Sequence, residues 1–214
     1  MEADKIKIVP VFISIAVLFL TEAVAKVLFS ESLLSPMITL GATRLLEAFL
    51  FIMIVVTWGK GLHSIGLARY EILPGIMRGF IWSAAFGIIV SCIFGALYIA
   101  GINPFAFIQV RLPNRTQDLL YFFLVGGLIA PIAEEIFFRG IIYGFFRRWG
   151  VVVAISLSTL IFVFAHMIDT ALPVTQAIGG IVFAAAYEVE GKLMVPISIH
   201  VLGNIAIFSL SILF

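Results

Sequence analysis

Four stretches of this chain contain no aspartate, glutamate, lysine or arginine: Gly79 to Val110, Trp149 to Ile168, Thr170 to Tyr187, and Leu193 to Phe214. Each matches or exceeds the roughly 18 residues that mark a candidate transmembrane helix. The deficit is global. Only 12% of the 214 residues are charged and 63% are hydrophobic, against about 25% charged in an ordinary soluble domain. Thirteen basic and twelve acidic residues are too few to clothe a soluble surface. The expected fold is all-α, a polytopic bundle forming a single integral membrane domain over residues 1–214.

The same numbers exclude other classes. A net charge of +1 gives no basic patch for nucleic acid. One cysteine, Cys92, inside an apolar run, excludes a disulfide framework and a cysteine zinc cluster. It is expected to be a packing residue.

Seven hydrophobic segments can be drawn, at Ile8–Leu28, Ile38–Trp58, Met77–Ala100, Leu119–Phe146, Val151–Ile168, Pro173–Tyr187 and Leu193–Phe214. Counting rules widen the total to between six and eight. The fourth is too long for a straight span and holds Gly126, Gly127 and Pro131, so a kink or break is expected there. The first imitates a signal peptide, with Lys5 and Lys7 before it and Ala23-Val24-Ala25 within it. Apolar character resumes at Val27 to Phe29, and an uncleaved first helix is expected. Seven spans put Lys5, Lys7, Lys60, Arg69, Arg78, Arg147, Arg148 and Lys192 on one side and Arg111 and Arg115 on the other. That asymmetry places the N-terminus in the cytoplasm.

Ionisable residues within the spans need a reason, because each costs several kcal/mol unless paired or hydrated. Glu22 and Lys26 stand four apart, and Arg44 and Glu47 three apart. Both spacings let the members meet on one helix face. They read as self-neutralised pairs near helix ends, without a function. The fourth segment differs. Glu135 and Arg139 stand four apart with the acid first, which favours a helical ion pair. Glu134 points about 100° away and has no partner nearby in sequence. An unpartnered carboxylate in apolar surroundings suits general acid or base work.

Two histidines supply partners. His166 lies in the fifth segment after Phe162, and His200 in the seventh, one turn from Asn204. Glu134 is 13 residues before Arg147, and His166 is 15 residues after Val151. At 1.5 Å per residue both lie roughly 20 Å from the turn between their helices, at matched depth. His63 lies in a loop and is read as incidental.

Taken together, Glu134-Glu135-x-x-x-Arg139, Phe162-x-x-x-His166 and His200-x-x-x-Asn204, in that order on separate helices, resemble the CPBP family of intramembrane proteases, which includes the CAAX prenyl endoprotease. Gly180 to Pro196 and, weakly, Gly61 to Leu67 also look like the family. The resemblance runs from about Leu120 to Phe208, giving an expected catalytic core at 118–208 on the fourth, fifth and seventh helices. It implies an intramembrane endopeptidase acting on a peptide bond near the membrane, in a CAAX-type or C-terminal-tail substrate. Glu134 would be the general base, with His166 holding the attacking water. Glu135, Arg139 and Phe162 would support them, and His200 and Asn204 would donate to the oxyanion.

The family has also been read as metal-dependent. Glu134, His166 and His200 could ligate zinc with water in the fourth place. No helix carries the His-x-x-x-His pair of His-Glu-x-x-His enzymes, so no cofactor is expected and zinc is the alternative. Other classes remain: a proton-coupled transporter, which also buries Glu and His, or a non-proteolytic binding or immunity protein. The expected partners are membrane lipids and a peptide or protein substrate, possible lipidation included. The expected setting is a prokaryotic cell membrane, with the site open to the outer side.

Overall fold

Lipid offers no hydrogen bonds to a backbone, so an apolar run must satisfy its own N–H and C=O groups as a helix. The structure, a computed structural model, describes residues 6–30, 35–167 and 173–213. Among these, seven helices follow one another and no strand occurs. They are α1 (Ile8–Ser30), α2 (Pro36–Trp58), α3 (Arg69–Ile99), α4 (Thr116–Trp149), α5 (Val151–Ala165), α6 (Val174–Glu190) and α7 (Met194–Leu213). Lys5, Ile168 and Phe214, which bear on the expected segments, lie outside the described residues.

The expected all-α bundle is what forms, with one difference in detail. Five helices are long and apolar enough to cross a membrane, whereas α5 has 15 residues and α6 has 17. At 1.5 Å per residue α5 reaches only about 22 Å. It stops at Ala165, short of the expected Ile168.

α4 is the central element, packed against α2, α5, α6 and α7. Its second half, Ile136 to Phe145, is buried throughout. Where a kink or break was expected, at Gly126, Gly127 and Pro131, the chain stays helical but leaves the α register. The helix widens into π-helical turns at Val125–Ile129 and again at Ile136–Tyr143. Proline explains the first. Pro131 has no N–H to give the preceding turn, and the Ala130 N–H reaches back to the Val125 carbonyl, five residues away. Widening re-routes the ladder and keeps the helix continuous.

Close helix contacts come from small residues, as in membrane bundles generally. A Cβ on Gly79 of α3 would stand 2.5 Å from the Ser198 Cβ of α7. One on Gly180 of α6 would stand 2.8 Å from Thr159 Cγ2 of α5. Between α4 and α5 the chain turns at Gly150, whose φ of 107° an L side chain rarely adopts. This one-residue connection makes α4 and α5 antiparallel neighbours.

Of the two intrahelical pairs expected on α1 and α2, Arg44 with Glu47 forms, and Glu22 joins it from α1. Arg44 donates to Glu47 and, across the helix interface, to Glu22 at 2.6 Å. The Thr21 hydroxyl donates to Glu47 at 2.7 Å. Spacing along one helix could not show this, because the better partner of Glu22 lies on the neighbouring helix. Glu47 is buried. Glu47→Ala is therefore expected to cost about 1–3 kcal/mol by removing the buried acceptor of Arg44 and Thr21 while Arg44 keeps Glu22, with Glu47→Gln milder because it still accepts from Thr21. Thermal unfolding in detergent reads the difference. Cys92, expected in the packing, faces outward. The bundle has few layers, so an apolar position on α3 meets lipid as readily as protein.

Candidate active site

The residues singled out in the sequence come together where α4, α5 and α7 meet. Glu135 is the hub. Its Oε1 accepts from Arg139 at 3.0 Å, one helical turn on, and from His200 Nδ1 at 2.8 Å. Glu135 and Arg139 are both fully buried. Arg139 also donates to the Gly180 carbonyl at 3.3 Å. Its guanidinium lies over the Phe162 ring at 4.6 Å and the Phe183 ring at 5.2 Å. A buried charge demands this density of partners.

Glu134 points elsewhere, as its position around the helix requires. Its Oε2 lies 3.7 Å from His166 Nε2 and 3.8 Å from His200 Nε2. The carboxylate is 17% exposed and His166 28%, while His200 is 8% exposed. The three groups thus form the mouth of the site, with Glu135 and Arg139 beneath it.

Local structure sets each imidazole. The last turn of α5 tightens, so the His166 N–H bonds the Val163 carbonyl, three residues back. The Phe162 carbonyl is met instead by His166 Nδ1 at 2.8 Å. A carbonyl only accepts, so Nδ1 carries a proton, and in the neutral tautomer Nε2 is the acceptor. The same reasoning applies to His200, whose Nδ1 meets the Glu135 carboxylate. Both rings therefore turn Nε2 toward Glu134. His166 does not sit within the helix, as expected, but at its end.

Asn204 is placed differently from the other three. Its Nδ2 donates at 2.8 Å to the Gly126 carbonyl. In the π register that carbonyl would look to residue 131, a proline without an N–H. Asn204 thus supplies the bond that Pro131 withholds, and its second N–H remains for other use. Asn204→Ala is expected to cost about 1–3 kcal/mol through the stranded carbonyl, measurable as a lowered midpoint of thermal unfolding.

Phe183, Gly126 and Gly180 were not found from sequence. Phe183 stacks on His200, with centroids 4.7 Å apart and planes 24° apart. Nothing in an apolar stretch of α6 distinguishes such a phenylalanine from a packing residue. The role of Gly126 was in principle readable from Pro131, five residues on.

Among the described residues no group of three His, Cys, Asp or Glu side chains is gathered tightly enough to hold a metal ion. Zinc bonds of 2.0–2.1 Å separate tetrahedral ligand atoms by about 3.3 Å. Glu134, His166 and His200 offer the right atoms at wider spacing.

Residues 116–206 match the profile of the type II CAAX prenyl endopeptidase Rce1-like family. The chain is also similar to the membrane-embedded CAAX protease MroQ of Staphylococcus aureus (strain USA300), at 29% identity over 149 residues, 65% of this chain and 59% of that protein. It spans about three fifths of the length of that relative. No solved structure matches it. The matched stretch contains the Glu-Glu-x-x-x-Arg, Phe-x-x-x-His and His-x-x-x-Asn residues just described, so the part of this integral membrane protein that carries the candidate site is similar to the Rce1-like CAAX prenyl endopeptidases.

Proposed function

We propose that this protein is an intramembrane endopeptidase that hydrolyses a peptide bond close to the membrane, with Glu134 as general base and without a metal. The observation that carries the reading is the convergence of Glu134 Oε2 with two histidine Nε2 atoms at 3.7 and 3.8 Å. Glu134 and a neutral His166 would offer acceptors for the two hydrogens of a water molecule held between them.

The chemistry follows from those roles. Water donates one hydrogen to Glu134 and the other to His166 Nε2. Glu134 takes the first proton as the water oxygen bonds the scissile carbonyl carbon, and the carbonyl oxygen becomes the oxyanion. His200 can donate to that oxyanion from Nε2 only when doubly protonated. Glu135, at 2.8 Å from its Nδ1, is the counter-ion that supports this form, much as a buried aspartate supports an imidazolium in serine proteases. The second N–H of Asn204 is the other donor. When the C–N bond breaks, the proton on Glu134 passes to the departing amine.

The donor set also suits zinc, since Nδ1 of each histidine is already held by a carbonyl or a carboxylate. Glu134, His166 and His200 would hold the ion, which would supply Lewis-acid activation. That arrangement spends Glu134 as a ligand, and the neighbouring Glu135 is committed to Arg139 and His200. Zinc peptidases of the His-Glu-x-x-His kind keep a separate glutamate as base, whereas here the carboxylate beside Glu134 is fully buried and paired through Oε1 with Arg139 and His200. This favours the metal-free reading.

The substrate we propose is a peptide or protein tail held at the membrane by a lipid or an apolar segment. CAAX-type processing is the form the family description suggests. The site would open to the side opposite the cytoplasmic N-terminus. The test is cleavage of lipidated and transmembrane-tailed peptides by purified protein, products identified by mass. Cleavage that survives a chelator supports the reading. Loss on chelation with recovery on adding zinc would transfer the chemistry to a metal, and no cleavage by folded protein would point to a binding role.

A further inference from the structure

Beneath Glu134 the hydrogen-bonded chain Arg139–Glu135–His200 lies between two phenylalanines from different helices. Phe162 of α5 lies 4.6 Å from the Arg139 guanidinium, 4.4 Å from the His166 ring and, edge on, 6.0 Å from the His200 ring. Phe183 of α6 lies 5.2 Å from the guanidinium and stacks nearly parallel on His200 at 4.7 Å. Both phenylalanines are buried.

His200 has two rotatable side-chain bonds. The bond from Nδ1 to Glu135 fixes one atom of the ring and leaves the ring free to swing about that contact. A flat ring against its face removes the swing. Only with both restraints is Nε2 held toward Glu134. The two rings also keep water from the Glu135–His200 bond, which strengthens it.

We infer that Phe183 is a positioning residue for the reaction, holding the plane of the His200 imidazole so that Nε2 faces Glu134 and the reacting carbonyl. The inference rests on the peptidase reading above for its kinetic consequence, though not for the contact itself. Phe183 supplies a flat face, so apolar volume alone does not replace it.

The test compares Phe183→Leu, which keeps the position apolar, with Phe183→Tyr, which keeps the face. Phe183→Leu is expected to lower kcat about 10- to 100-fold, the size of effect that small misplacements produce. KM should stay within about twofold, as for an interaction used in the transition state, and Phe183→Tyr should recover most of the rate. A second readout uses the chain's three histidines, labelled with 13C in detergent. Stacking on a phenyl face shifts the His200 ring protons upfield, and Phe183→Leu should abolish that shift while leaving exposed His63 unmoved. An unchanged kcat, a loss that Phe183→Tyr fails to repair, or unmoved His200 signals would each overturn the inference. If the wild-type protein cleaves nothing, the peptidase reading fails, and the His200 signals alone decide whether Phe183 holds the ring.

Discussion

Glu134→Gln is expected to abolish cleavage, by about 10²–10⁴-fold in kcat, while leaving the fold intact. The amide has nearly the shape of the carboxylate but cannot take a proton from water. Glu134 approaches the two histidines only at 3.7 and 3.8 Å, and the amide keeps its shape, so the packing of the bundle should survive the change. Thermal unfolding and the elution profile in detergent should match the wild type. Substrate binding should also persist, because the change removes a step rather than a surface. Loss of rate together with loss of fold would mean that Glu134 is a structural group.

Its neighbour should behave in the opposite way. Glu135→Ala leaves the fully buried Arg139 without its counter-ion, and such stranding costs about 3–5 kcal/mol. That is comparable to the whole stability of a marginal protein. The expected result is little folded protein, with a large fall in the unfolding midpoint of whatever is recovered. The cation–π contacts to Phe162 and Phe183 do not replace an ion pair, being worth roughly 0.5–2 kcal/mol each. Two adjacent glutamates would then separate cleanly, the first lost in chemistry and the second in folding. A Glu135→Ala protein of normal stability would contradict the burial-and-pairing account of this cluster.

What could be read ahead of the structure was what helical geometry alone determines. The matched depth of Glu134 and His166 followed from a fixed rise per residue on either side of a short turn, and Gly150 provides that turn. The four-residue spacing of Glu135 and Arg139 likewise implied a contact that the structure contains. Spacing along one helix missed some partners on its neighbours. Glu22 was matched with Lys26 by spacing, yet it pairs with Arg44 across the α1–α2 interface. Asn204 was read as an oxyanion donor, and one of its N–H groups also serves a carbonyl that a proline leaves unmet. A kink or break was expected around Gly126, Gly127 and Pro131, and what forms there is a π-helical widening. Phe183 carried no signal, because stacking on an imidazole leaves no trace in a hydrophobic run.

The central claim is that Glu134, flanked by two histidine Nε2 atoms, activates water against a peptide bond at the membrane. It is tested most directly by incubating wild-type protein, Glu134→Gln, His166→Ala and His200→Ala, each purified and shown to be folded, with one membrane-tailed peptide and weighing the products. The account expects two product masses summing to the substrate plus one water for the wild type, and uncut peptide for Glu134→Gln, with the histidine variants strongly impaired. Cleavage by Glu134→Gln at the wild-type rate would contradict it.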